Sequence, residues 1–181
     1  MTRLEIPDQS ELPDDVRRFL KGFPFDPIVA MLSYSSATVE LFIRQGQAQF
    51  TDLALSDRLR EVVILTVAAG ADCKFVAAQH QPMAADAGIT AAERTAIAAH
   101  DLASAELDRV DRTVVEFVAA VVQSPRVQDS LFAKVRAALS NREIVEVLQI
   151  CGYYWTLARI ATVLDVELTT IYGKMPPIDD D

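Results

Sequence analysis

Apolar residues recur along this chain at three- and four-residue intervals, the period of amphipathic helices, and β-branched alternation is rare. Pro13, the acids Asp14 and Asp15, and then Val16, Phe19 and Leu20 read as a helix start. From Ile28 to about Phe50, the positions Ile28, Leu32, Val39, Phe42 and Ile43 predict one long amphipathic helix. Its middle is unusually rich in hydroxyls: Ser33, Tyr34, Ser35, Ser36 and Thr38. Leu55 to Gly88 predicts a helix pair. Ser56 is placed to N-cap the first helix, with Asp57 in the first turn, where the helix dipole favours an acid. Val62 to Gly70 then carries one hydroxyl and no charge. A helix apolar all round is a core helix, so Glu61 stands at the edge of a dry region. Cys73 opens the second helix, expected to be broken or bent near Pro82 and ended by Gly88.

Thr90 and Glu93 form a capping box that opens a short helix to about His100. Leu107 to Gln123 is apolar on one side through Val110, Val114, Phe117, Val118 and Val121, and Pro125 ends it. Val127 to Leu139 gives another short helix. Ser140 and Glu143 form a second capping box, opening a helix to about Leu164. The fold class expected is all-α. Met1 to Glu11 reads as a polar arm and Met175 to Asp181 as a Pro-rich acidic tail, both flexible. With no linker between them, residues 1–181 read as a single domain. Leu55-Ser-Asp-Arg58 and Leu139-Ser-Asn-Arg142 are alike, but good caps converge on these residues.

Composition narrows the function. The 181 residues suffice for a full apolar core, and the net charge of −9 argues against a nucleic-acid partner, because no basic patch exists to displace counterions. The longest apolar runs fall short of the roughly 20 residues of a membrane span. Two cysteines 78 positions apart make no disulfide framework, and nothing resembles a secretion signal, so a cytoplasmic setting is the expectation. No metal-ligand spacing and no glycine-rich phosphate loop is visible, so neither metal nor cofactor is expected.

The reactive side chains gather in the central pair: Glu61, Cys73 and His80. On the second helix Cys73, Val76, Ala77, His80 and Ala84 share a face. Cys73 and His80 lie about 10 Å apart along the axis, too far for a hydrogen bond in a regular helix. The stretch Cys73-Lys-Phe-Val76 has no CxxC dithiol, which disfavours dithiol redox chemistry unless Cys151 is brought alongside. Single-thiol chemistry stays open, with Lys74 or the helix N-terminus lowering the Cys73 pKa, and so does Cys73 as a small buried hydrophobe. His80 reads as a general acid or base oriented by Glu61 across the helix pair, or as a core histidine satisfied by a carbonyl. Arg58 and Arg60 are available to neutralise Glu61. Arg159, the only charge between Cys151 and Leu164, could bind a substrate carboxylate or form a buried structural pair. Tyr153, Tyr154 and Trp155 beside it read as core or subunit interface. His100, at a helix end, reads as structural.

These segments resemble the carboxymuconolactone decarboxylase family, which includes the alkylhydroperoxidase-D-like proteins. The resemblance rests on the Leu55-Ser56 start, Glu61, the apolar run, Cys73 with Phe75, His80 before Ala87-Gly88, and the Ile89-Thr90-x-x-Glu93 cap. Near the C-terminus it rests on Leu139 to Glu143, Glu146, Gly152 to Tyr154, and Arg159 to Val166. It implies an alkylhydroperoxidase-D-like all-helical fold and obligate homo-oligomers, often trimers or hexamers, with sites near subunit contacts. It also implies that Glu61 and His80 belong to the site. In the peroxidase branch a CxxC would occupy positions 73 and 76, and decarboxylase-like members often hold an acid and a tryptophan at 76 and 77; Val76 and Ala77 depart from both. The leading expectation is cofactor-free acid–base chemistry, a decarboxylation or isomerisation, on a small organic acid or lactone. His80 would move the proton, Glu61 would orient it, and Arg159 or Tyr34 would hold a ligand oxygen. The alternatives are a thiol peroxidase or oxidoreductase using Cys73, and a non-catalytic oligomeric ligand-binding protein.

Overall fold

The computed structural model describes residues 2–104 and 106–168. The C-terminal tail expected at 175–181 lies outside the described residues. Nine α-helices follow one another among them: α1 (Asp14–Leu20), α2 (Pro27–Leu32), α3 (Val39–Ala48), α4 (Asp57–Gly70), α5 (Lys74–Asp86), α6 (Ala91–Ala99), α7 (Arg109–Gln123), α8 (Asp129–Ala138) and α9 (Asn141–Val163). The all-α expectation stands.

α4 is the centre. It packs against α5, α6, α7 and α9, as its sequence requires: every residue from Arg60 to Ala68 is buried. Ser56 accepts the Leu59 amide and so starts the helix as read from the sequence. A second anchor comes from α9, where the buried Glu146 carboxylate accepts the amides of Ala54 (3.1 Å) and Leu55 (2.9 Å) just ahead of that start. Both capping boxes form, at Thr90 and at Ser140.

One expectation is corrected and another narrowed. The long helix from Ile28 to Phe50 is two helices, α2 and α3, separated by the hydroxyl-rich stretch. There the side chains bond locally: Ser33 Oγ donates to the Ala30 carbonyl and Thr38 Oγ1 to Ser35 Oγ. Such bonds compete with the helical ladder, so the hydroxyls mark a break rather than a polar helix face. Of the break or bend expected near Pro82, the break does not occur: α5 runs through Pro82 to Asp86 as one helix. It ends as expected at Gly88, with φ +82°. The N-terminal arm is held at two points: the Arg3 amide donates to the Leu164 carbonyl (2.8 Å) and the Tyr34 hydroxyl to the Glu5 carbonyl (2.9 Å).

Candidate active site

Glu61 on α4 is wholly buried, as an acid inside an apolar helix must be, and so it needs partners. His80 on α5 supplies one: Nδ1 lies 2.8 Å from Glu61 Oε2. Arg60 supplies the other, its Nε donating to Glu61 Oε1 at 3.1 Å while a terminal nitrogen reaches Asp57 at 2.6 Å. With Nδ1 on the carboxylate, Nε2 is the remaining ring nitrogen of His80.

Aromatic rings close around this pair. Tyr154 of α9 meets the His80 ring edge-on, with centroids 4.9 Å apart and planes at 88°. Phe50, just beyond α3, lies nearly parallel to His80 at 6.3 Å and under the Arg60 guanidinium at 4.3 Å. Phe50 keeps 37% of its surface exposed, so it is the side of the cluster that faces solvent. Burial, then the neighbouring Tyr153 and Glu61, push the Tyr154 hydroxyl well above its ordinary pKa, so it stays protonated. The placement of α3 depends on Gly46. A Cβ there would stand 2.3 Å from the Tyr153 hydroxyl, and Phe42, one turn earlier, stacks on that ring at 4.4 Å.

Cys73 occupies the opposite end of α5. It is the N-cap, and its sulfur accepts the Val76 amide at 3.5 Å. Burial raises the thiol pKa and outweighs the Val76 and Phe75 amides and the charge of Arg159. The expected lowering by the helix N-terminus or Lys74 is therefore corrected: the amides do act, but on a thiol only 2% exposed. Cys151 is also free and buried, its thiol pushed up to about 12 by burial. Arg159 donates to the Ala71 carbonyl at 3.1 Å, bracing the turn that leads into Cys73, and its guanidinium lies over Trp155 at 5.3 Å. Tyr34 is 55% exposed, with its hydroxyl on the arm.

The structure thus joins His80 to Glu61, sets Cys73 beside Arg159 at the far end of α5, and leaves Tyr34, between α2 and α3, bonded to the N-terminal arm. Sequence reasoning missed Phe50, and gave Tyr154 no place beside His80. It also missed Gln49, a buried amide with neither polar atom hydrogen-bonded. Gln49, the C-cap of α3, follows Phe42 and Gly46 in an i, i+4, i+7 pattern that could have marked it. Among the described residues no group of three or more His, Cys, Asp or Glu side chains is arranged to hold a metal ion, and no helix is long and apolar enough to cross a membrane.

Comparison with known proteins follows the same lines. Among curated proteins nothing matches. Solved structures share the fold at low identity. An uncharacterized peroxidase-related protein from Ralstonia eutropha JMP134, described as an alkylhydroperoxidase AhpD core, is 18% identical with a TM-score of 0.77, over 97% of this chain and 98% of that one. An uncharacterized peroxidase-related protein from Silicibacter sp. TM1040 is 15% identical with a TM-score of 0.76, over 96% and 95%. A cysteine-to-alanine variant of the debrominase Bmp8, in complex with 2,3,4-tribromopyrrole, is 14% identical with a TM-score of 0.71, over 93% and 90%. The profile of the carboxymuconolactone decarboxylase family matches residues 37–120, a stretch from α3 into α7 that contains Glu61, Cys73 and His80. Over that stretch the chain is similar to the carboxymuconolactone decarboxylase family, and over nearly its whole length it shares the fold of the alkylhydroperoxidase-D-like structures.

Proposed function

We propose that this protein is a cofactor-free acid–base enzyme that decarboxylates or isomerises a small unsaturated acid or lactone, with His80 as the proton carrier. The observation that carries the reading is the buried His80–Glu61 pair, joined at 2.8 Å. Glu61 holds Nδ1 and fixes the ring, so Nε2 is the nitrogen that takes or delivers a proton. In a decarboxylation the bond to the carboxyl carbon breaks and carbon dioxide leaves. The electron pair passes into the conjugated system, and Nε2 returns a proton to carbon. Apolar and aromatic walls favour loss of the charged carboxylate. Arg60, beside Glu61 and over the Phe50 ring, is the nearest cation to the pair and a candidate for steering an anionic substrate.

The experiment is turnover of a panel of γ-lactones and β,γ-unsaturated acids, muconolactone included, by wild type and His80→Gln. Glutamine keeps a donor for Glu61 and removes the transferable proton. A loss of about 10²- to 10⁴-fold in kcat is expected. Retained turnover in the variant would sink the assignment.

A second reading draws on Cys73 at the head of α5 beside Arg159, and on the peroxidase-related neighbours. Here Cys73 would be the nucleophile of a thiol peroxidase. Its buried sulfur, its raised pKa and Val76 in place of a second thiol weigh against this. Alkylation of Cys73 followed against pH decides between the two. The acid–base reading expects an inert thiol titrating above the ordinary cysteine range; a thiolate formed near neutrality would revive the peroxidase.

A further inference from the structure

Buried polar side chains are nearly always hydrogen-bonded, so one with no partner at all asks for a reason. Gln49 is such a residue. It is 5% exposed, and neither Nε2 nor Oε1 is bonded. Arg112 also has an unpartnered buried atom, its Nε, but that guanidinium donates through Nη2 to the Ser104 and Leu107 carbonyls. The side-chain amide of Gln49 makes no bond to anything.

Its place in the fold brings it to the His80 pair. The backbone at Gln49 is still helical, with φ −71° and ψ −8°, so the register of α3 continues through it. At about 100° per residue, Gln49 falls within about 60° of both Phe42 and Gly46. That side of α3 is turned to α9, because Phe42 stacks on Tyr153 and the Tyr153 hydroxyl presses on Gly46. Gln49 lies one turn beyond Gly46. Next to it in the chain, Phe50 faces His80; next to Tyr153, Tyr154 meets the same ring. Residues 49–50 and 153–154 thus wall the His80 ring and carry the free amide.

The reaction proposed above needs such a group. When carbon dioxide leaves, the electron pair of the broken bond moves through the conjugated system and must end on an electronegative atom. In an unsaturated lactone or acid that atom is a carbonyl oxygen, which becomes an enolate oxygen. An N–H fixed in a water-poor site stabilises charge as it develops there, and a side-chain amide can supply it. We propose that the Gln49 amide is the oxyanion donor of this site, Nε2 donating to the carbonyl oxygen of a flat, conjugated lactone or unsaturated acid. The inference rests on the acid–base reading of His80. Nε2 of His80 then gives its proton to carbon, the enolate returns to a carbonyl, and the ring regains a proton from solvent. The ligand enters past Phe50, the solvent-facing ring that follows Gln49 in the chain. An amide unpaired in the free protein gives up no other bond to hold the ligand, and it rejects a ligand with no oxygen at that place.

The probe is tetronate, a five-membered unsaturated lactone that is an enolate at neutral pH. Its binding to the full chain by titration calorimetry is compared for wild type, Gln49→Leu and Gln49→Met, beside turnover of the lactone and unsaturated-acid panel by the same proteins and His80→Gln. Both Gln49 variants are expected to bind tetronate at least about tenfold more weakly. In turnover they should lose about 10²- to 10³-fold in kcat, with a smaller change in KM. Urea denaturation should show them at least as stable as the wild type. A glutamine kept for packing would lose stability together with binding, and Gln49→Met, unbranched and of similar length, separates the lost donor from a change of shape. Tetronate bound equally by wild type and both variants, bound by none of them, or lost with leucine alone would overturn the inference. Turnover that needs His80 and not Gln49 would overturn it too, while leaving the acid–base reading in place. Tetronate binding that needs Gln49, in a protein that turns over no member of the panel, would instead remove that reading and keep Gln49 as the residue that holds the ligand oxygen.

Discussion

Two arginines stand two positions apart on α4, and each holds a pair of carboxylates. Arg58 reaches Glu93 on α6 and Asp111 on α7, both at 2.5 Å, and donates to the Gly88 carbonyl. Arg60 holds Glu61 and Asp57. Each cluster has one carboxylate more than it has arginine, and the two deal with that surplus differently. Around Arg58 the backbone absorbs it: the Thr90 amide donates to Glu93 at 2.6 Å, closing the capping box. Burial pushes Glu93 up, but the Thr90 amide and Arg58 hold it below the usual carboxylate range. Around Arg60 the surplus at Glu61 meets an imidazole. The first cluster is a knot tying three helices together; the second pairs a buried carboxylate with a group able to carry a proton. An ion-pair network becomes a candidate for chemistry when the last charge is answered by a titratable ring beside a solvent-facing aromatic, rather than by a fixed amide.

The His80→Gln loss of activity is the largest effect expected, and it should leave stability nearly unchanged. Arg58→Met should do the reverse. It strands two carboxylates, one of them the buried Asp111, and should cost about 3–5 kcal/mol by urea denaturation while the folded fraction keeps its activity. Equal losses of activity in both variants would dissolve the distinction between knot and site. Glu93→Gln comes next, at about 1.5–3 kcal/mol near neutrality. The folded pKa of Glu93 lies below its unfolded value. Its contribution is therefore present above the unfolded value, near ~4.3, and is lost as pH falls through the folded one. The gap between wild type and variant should then narrow in acid; a gap constant with pH would show that the carboxylate's charge is not what matters. Smallest is Gln49→Leu, expected to raise stability by about 1 kcal/mol, because it removes a buried amide with neither polar atom partnered. Destabilisation by this variant would mean that the amide has a partner in solution.

Much of the fold was legible locally. Capping boxes at Thr90 and Ser140, the Ser56 cap and the Gly88 stop depend on residues within one turn of each other, so the sequence displays both partners at once. The failures were local competitions with two outcomes. Hydroxyls from Ser33 to Thr38 suit a helix face or a break, and Pro82 suits a stop or an interior position once neighbouring helices hold α5 in place. The membership of the site was only partly legible. Glu61 and His80 announce themselves as polar residues on apolar helices, whereas Phe50 and Tyr154 are aromatic residues of a kind that any core uses.

The sequence by itself determined that the chain is helical, where most helices begin, that α4 is buried, and that an acid, a thiol and an imidazole are carried by one helix pair. Those follow from periodicity and capping, which act over a few residues. Only the tertiary structure decided which of the three groups meet. Glu61 and His80 are 19 positions apart, and the crossing of α4 and α5 brings them to 2.8 Å, while the rise of a single helix keeps Cys73 and His80 apart. It also decided the state of the thiol, since burial is a property of the packed core and here outweighs the amides of the helix that Cys73 caps.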